Sequence, residues 1–247
     1  MGTLINVAAI IGGGLLGLAV GHLMNDRYHK TINLAMGLSI IALAISGFVA
    51  EMLDIAQTGT GTNTVFDITT KGTYIIIFSL VLGGLVGELI DIESQMERLG
   101  TWLKMKSGSA KDVGFVDGFV TSSLTVCIGA MAVLGAIMDG VAGDHTLLIT
   151  KAILDFVIIM VMTSSMGKGC IFSAIPVGIW QGSITLLAKA LEPIMTDVAL
   201  SNLGLVGNIL IFCIGINIII DGRGHIKVAN LMPAIIFAVA AAYIPFL

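Results

Sequence analysis

Residues 147–165 read LLITKAILDFVIIMVMTSS, an apolar run of membrane length with Lys151 and Asp155 inside it. On the insertion scale a Lys or Asp near a helix centre costs about 2.5–3.5 kcal/mol, and each Leu, Ile, Phe or Val returns about 0.3–0.6 kcal/mol. The apolar residues of this run therefore do little more than balance its two charges. A helix of this kind is stable beside protein or water and poorly suited to lipid on every side. The two charges stand four residues apart, on one helical face, where they can meet. Two readings stay open. Either the pair is neutralised glue between helices, or one member binds a solute or exchanges its partner for a proton or ion.

The rest of the chain extends the bilayer reading. Of 247 residues 56% are hydrophobic and 11% charged, with mean hydropathy +1.02. A soluble domain carries about 25% charged residues, and no segment here is long and polar enough to form one. The net charge is −4 with no basic cluster, which excludes a nucleic-acid surface. Cys127, Cys170 and Cys213 sit in separate apolar segments without a CxxC, as small buried side chains do, so neither a metal nor a disulfide is expected. His22, His29, His145 and His225 show no paired metal spacing, and no nucleophile elbow, P-loop or dinucleotide fingerprint is present. The chain is read as no enzyme and as needing no cofactor. Its opening, MGTLINVAAIIGGGLLG, lacks a basic n-region and reads as a first span, and Asn6 stands where a myristoylation signal wants Ser or Thr.

About 20 apolar residues cross a hydrocarbon core, and eight segments qualify, at roughly 4–24, 31–53, 72–92, 117–138, 146–165, 169–191, 202–220 and 228–246. With the N-terminus outside, one set of connections holds Arg27, Lys30, Arg98, Lys104, Lys106, Lys111, Lys168, Arg223 and Lys227, and the other only Lys71 and Lys189. The positive-inside rule assigns the first set to the cytoplasm, and an even number of spans puts both termini outside. The expectation is an all-α integral membrane protein, one polytopic domain of about eight transmembrane helices. Residues 54–70 are polar and Gly/Thr-rich, an external loop or short hairpin. In 92–106, Ile92, Met96, Leu99 and Leu103 recur at helical spacing beside Trp102, with Glu93, Glu97, Arg98 and Lys104 off the stripe. That pattern predicts an amphipathic helix lying on the cytoplasmic membrane surface.

The chain repeats itself. GTLINVAAIIGGGLLG (2–17) aligns without gaps on GTYIIIFSLVLGGLVG (72–87), so spans one and three are read as one structural unit. A weaker echo links 32–48 to 200–218, two segments that run in opposite directions; if it holds, the fold contains an inverted-topology element. Gly13, Gly17 and Gly21, Gly83 with Gly87, Gly114 with Gly118, and Gly178 with Gly182 repeat a GxxxG step, which predicts close helix packing within the chain or in a dimer.

Few polar groups fall inside the spans. Glu88 stands where the first repeat has Leu18, toward the cytoplasmic end of span three. Asp117 opens span four ahead of Thr121, Ser122, Ser123 and Thr125; it serves either as a helix-start acid with hydroxyls returned to backbone carbonyls, or as the mouth of a polar path. Pro176 either opens the backbone and frees carbonyls near Phe172, or simply kinks the helix, with Gln181 and Ser183 just beyond. Asn202, Asn208 and Asn217 read as amides joining helices.

Taken together, GGLVGELIDIE (83–93), GFVTSSLTVCIGAMAVLGAIMDG (118–140), TKAILD (150–155), FSAIPVGIWQGSITLLA (172–188) and IKVANLMPAI (226–235) resemble the bacterial YqgA/YdfK-type inner-membrane proteins, a family of unknown function. The resemblance covers essentially the whole chain and implies a multi-span protein of the bacterial cytoplasmic membrane, with no substrate or site residue to carry over. The residues themselves favour a small secondary transporter or channel-like permease for a small polar solute or ion. Lys151, Asp155 and Gln181 would form its centre, with Glu88 and Asp117 guarding the cytoplasmic side. The alternative is a membrane sensor or scaffold working through residues 93–111. The expected partners are the bilayer, the solute and a second copy of the chain.

Overall fold

The computed structural model describes residues 1–23, 26–58, 65–70, 72–220 and 226–244. Its helices are α1 (Gly2–Gly21), α2 (Asp26–Met52), α3 (Thr73–Ile90), α4 (Ile92–Lys106), α5 (Phe115–Cys127), α6 (Ala130–Val141), α7 (Thr146–Met166), α8 (Ala174–Leu186), α9 (Ala188–Leu191), α10 (Asp197–Ile219), α11 (Val228–Leu231) and α12 (Ala234–Ala241). Among the described residues six stretches are long and apolar enough to cross a membrane: α1, α2, α3, α7, α10, and α8 with the 3-10 segment Lys168–Ser173 before it. The bent pair α5–α6 makes a seventh, while the stretch expected at 228–246 forms a shorter apolar helix, Val228–Ala241. Phe246, Lys71, Arg223 and His225 lie outside the described residues. The 54–70 connection is a hairpin, β1 (Leu53–Thr58) paired antiparallel with β2 (Val65–Thr70), Leu53 opposite Thr70; its tip, 59–64, also lies outside them.

Glycines set the helix directions. Along α1, Gly2 faces Leu148, Gly13 the Phe156 carbonyl, Gly17 the Met160 carbonyl and Gly21 the Ser164 backbone, so α1 and α7 run parallel with their backbones in contact. The aligned glycines of the second repeat do the same work on another partner: Gly83 meets Ala234 and Gly87 meets Asn230, which sets α3 antiparallel to α11 and α12. Gly37 against Gly215 and Gly47 against Asn208 pack α2 antiparallel on α10, the two segments of the weaker echo. Gly114 and Gly118 rest on Met166, and Gly178 on Val7. Most of the GxxxG glycines thus pack against helices of the same chain.

Two apolar clusters fill the bundle. One joins Phe115, Phe119, Leu124, Leu203, Leu210, Ile214 and Ala238, and the other joins Ile10, Met36, Ile40, Ile159, Met162 and Val177. The outer faces stay apolar too, with Leu4, Leu38, Leu85, Ile153 and Ile179 exposed as lipid-facing residues are. Helix α7 shows why its charges are tolerated: Ile149, Ile153, Leu154 and Val157 point outward while Lys151 and Asp155 point in.

The structure refines three expectations. Span four, read as continuous from 117 to 138, is broken. Helix α5 stops at Cys127, Ile128 is extended, Gly129 takes φ 141° and ψ 147°, and α6 departs at 62°. Only glycine adopts that backbone readily. Pro176, in contrast, lies in the first turn of α8, where no helical N–H bond is lost. The 3-10 segment ahead of it closes on itself, Ala174 N–H donating to the Ile171 carbonyl and Ser173 Oγ to that of Cys170. The amphipathic segment forms α4, and part of its stripe turns inward. Ile92, Met96 and Leu103 pack into the core, Gly100 of the same helix sits on Phe119 of α5, and Leu99 and Trp102 remain outside.

Candidate functional site

Three of the expected site residues converge, and a fourth joins them. Asn6 of α1, Lys151 and Asp155 of α7, and Gln181 of α8 meet inside the bundle with exposures of 0, 7, 3 and 1%. Lys151 Nζ donates to Asp155 Oδ2 at 2.5 Å, and Asn6 Nδ2 donates to the same oxygen at 3.0 Å and to Gln181 Oε1 at 3.0 Å. The directions follow from chemistry. A carboxylate only accepts, so Asn6 turns its amide NH2 toward Asp155. Its other N–H then faces Gln181, which must present oxygen. Left over are Gln181 Nε2 and Asn6 Oδ1, both buried and, among the described residues, without a partner. An unsatisfied buried polar atom costs about 1–3 kcal/mol, so the centre is incomplete as a purely structural network.

A polar seam runs outward from it. Thr3 and Thr185 hydroxyls lie 3.2 Å apart one helical turn away. At the end of the seam Asp139 of α6 accepts from the Gly2 N–H at 3.0 Å and lies 2.5 Å from His145 Nδ1. On the inner side Cys127, the last residue of α5, packs in one apolar cluster with Ile10 and Ile159, each one helical turn from Asn6 or Asp155, so the helix break lies on that side of the centre.

Glu88 and Asp117 are not at this centre. Glu88 forms an exposed pair with Lys227 at 2.9 Å and accepts from Asn230 Nδ2 at 2.7 Å. The hydrogen bond that Lys227 donates to Glu88 pushes its ammonium above the ordinary lysine pKa. Asp117 is exposed between two adjoining cavities of about 320 and 340 Å3, and it lines both together with Thr121 and Asn217. Glu93, Glu97 and Lys227 border the first and Lys30 and Asn33 the second, while the first reaches inward to Leu124 and Ile214. These cavities form a vestibule at the end of the bundle where the basic residues collect.

The hydroxyls of α5 divide between the two readings given to them. Ser122, Ser123 and Thr125 return to carbonyls of their own helix, whereas Thr121 lines the vestibule. The amides of α10 join neighbours or their own turn: Asn202 donates to Ala238, Asn217 exchanges two bonds with Ile226, and Asn208 donates to Gly204. Among the described residues no group of His, Cys, Asp and Glu is arranged to hold a metal ion, and all three cysteines are free. Sequence reasoning passed over Asn6, although the gapless repeat carried the signal. Asn6 aligns with Ile76, a polar residue added to one copy only, as Glu88 is in the other.

Fold and centre together define a class, the polytopic helical membrane protein with a charged pair enclosed in its bundle. Within that class the chain belongs to the family described as Protein of unknown function (DUF554), whose model matches residues 1–243. It is 30% identical over 235 residues to the "Uncharacterized membrane protein YdfK" of Bacillus subtilis (strain 168), covering 95% of this chain and 92% of that one. It is 22% identical over 242 residues to the "Uncharacterized protein YqgA" of Escherichia coli (strain K12), covering 96% and 94%. No solved structure matches the chain.

Proposed function

We propose that this protein is a small secondary transporter or channel-like permease for a small polar solute or ion, working in a bacterial cytoplasmic membrane. The observation that carries the reading is the enclosed Lys151–Asp155 pair, joined to Asn6 and Gln181 with polar atoms left unpaired, beside a helix broken inside the bundle. A pair that served only as glue would be better satisfied. Irregular backbone at membrane depth is tolerated where it is buried in protein or lines a cavity, and transporters use discontinuous helices in this way.

The packing directions support a fold of eight alternating spans. A chain that crosses eight times with its N-terminal end outside must hold its first and fifth spans parallel, its second and seventh antiparallel, and its third and eighth antiparallel; α1 with α7, α2 with α10, and α3 with α11 and α12 are so arranged. On this reading the vestibule opens to the cytoplasm and the seam from Thr3 to Asp139 leads outside. The antiparallel pair α2 and α10 is the candidate inverted element.

Reconstituted protein tests the proposal by currents on a solid-supported membrane and by uptake of labelled solutes, comparing wild type with the Lys151→Met/Asp155→Leu double variant. Flux in wild type and its loss in a monodisperse double variant is the expected result. Full flux in that variant would remove the centre from the mechanism.

A further inference from the structure

We propose that the Asn6–Lys151–Asp155–Gln181 centre takes a small carboxylate anion together with one proton, the proton residing on Asp155. The inference rests on the reading of this centre as a solute site and names its substrate class.

Charge balance is the first argument. The enclosed pair is neutral as it stands, one ammonium and one carboxylate. An anion entering alone would leave the buried centre at −1 and a cation alone at +1, and isolated charge in this setting is strongly disfavoured. An anion arriving with a proton leaves it neutral. Asp155 offers the place for that proton, because both of its hydrogen bonds fall on Oδ2 and none on Oδ1 among the described residues. The proton adds to Oδ1, the Lys151–Asp155 ion pair becomes an ion–acid contact, and the ammonium is released to the incoming anion with no other bond made or broken.

Donor count decides the sign of the ligand. Lys151 uses one ammonium N–H on Asp155, and Gln181 Nε2 is unpartnered while its side chain is 1% exposed. Once Asp155 is protonated, Asn6 Oδ1 is the remaining unpartnered buried acceptor of the centre. The surplus is therefore N–H and O–H donors, which suits the two oxygens of a carboxylate, whereas a metal cation would find an ammonium beside it. Helix α6 reinforces this. It runs antiparallel to α7 with Gly135 against Leu148, so its first residues, ~7.5 Å deeper, lie near the level of Lys151 and Asp155. Its positive end thus stands at the depth of the anion.

The other titratable groups packed on α7 are accounted for. Helix α5 brings Cys127, the 3-10 segment brings Cys170, bonded to the Gly118 carbonyl, and α6 brings Asp139, engaged by Gly2 and His145. Helices α1 and α8 bring amides and hydroxyls, and the acidic, basic and histidine residues of α2 stand toward its ends, at Asp26, Arg27, His29, Lys30 and Glu51.

The test is ligand-dependent melting and proton uptake of the full chain in lipid nanodiscs, with sodium acetate, lactate and succinate as probes. Sodium and potassium chloride serve as cation and simple-anion controls, from pH 5.5 to 8. At least one carboxylate is expected to stabilise wild type, with its affinity rising about tenfold for each pH unit lowered until Asp155 is protonated, and with one proton taken up per anion. Asp155→Asn mimics the protonated acid and is expected to bind the same carboxylate without pH dependence or proton uptake. Lys151→Met, still cooperatively folded, is expected to lose the response. Stabilisation that follows the cation instead would overturn the anion assignment and leave the transporter reading standing. If no salt shifts wild type while both variants melt earlier, both readings fall. Should Asp155→Asn fail to fold, a flat wild-type pH profile or zero proton uptake overturns the proposal without it.

Discussion

Lys151 is held inside the bundle by one carboxylate oxygen, and that oxygen also serves Asn6. Removing one partner of such a pair leaves the other charge buried alone, a loss of about 3–5 kcal/mol, whereas replacing both by apolar side chains is often neutral or stabilising. Lys151→Met and Asp155→Leu are accordingly expected each to lower the melting temperature in nanodiscs by more than the double variant does, a coupling that a double-mutant cycle measures. Glu88 and Lys227 form the contrasting pair. Both are exposed, where solvent screening and side-chain entropy leave an ion pair little net worth. Glu88→Gln is expected to leave the melting temperature within about a degree of wild type, read in the same assay.

At the scale of elements, helix contacts are set by glycines whose neighbours are backbone rather than side chain. A methyl at Gly17 would fall on the Met160 carbonyl, while one at Gly12 would meet only the edge of the Phe156 ring at 3.6 Å. Gly17→Ala is therefore expected to force α1 and α7 apart at a cost of about 1–3 kcal/mol or more, and Gly12→Ala to be nearly silent, with melting temperature as the readout. The break between α5 and α6 obeys a different rule. A side chain at Gly129 would touch nothing within 4 Å, yet its φ of 141° excludes one. Gly129→Ala and Gly129→Ser are expected to destabilise by similar amounts, about 1–3 kcal/mol each, because the strain is in the backbone and not in the space available.

For the whole molecule, the enclosed centre and the vestibule are separate places, one in the seam between α1, α7 and α8 and the other among α4, α5 and α10 at the basic end. If the basic end is cytoplasmic, Thr121→Cys should react with a membrane-impermeant thiol reagent applied from that side of inside-out vesicles and not from the other. Asn6→Cys should stay unlabelled from both, and the native Cys127 and Cys170, being buried, should add little background.

The sequence by itself determined the membrane class, the positions of most spans, the glycine repeat and the presence of Lys151, Asp155 and Gln181 as polar residues inside the spans. The reason is that a bilayer penalises charge and exposed backbone so heavily that composition and spacing alone record the constraint. Only the tertiary structure decided which charges belong together. It brought Asn6 to the pair and set Glu88 against Lys227, because such contacts depend on which helix faces which, and residues 149 positions apart in Asn6 and Asp155 carry no local pattern of their meeting. It also placed a break at Gly129 and set Pro176 in a first helical turn. A proline in a first helical turn loses no hydrogen bond, whereas a glycine followed by good helix formers gives no warning until its backbone angle is seen.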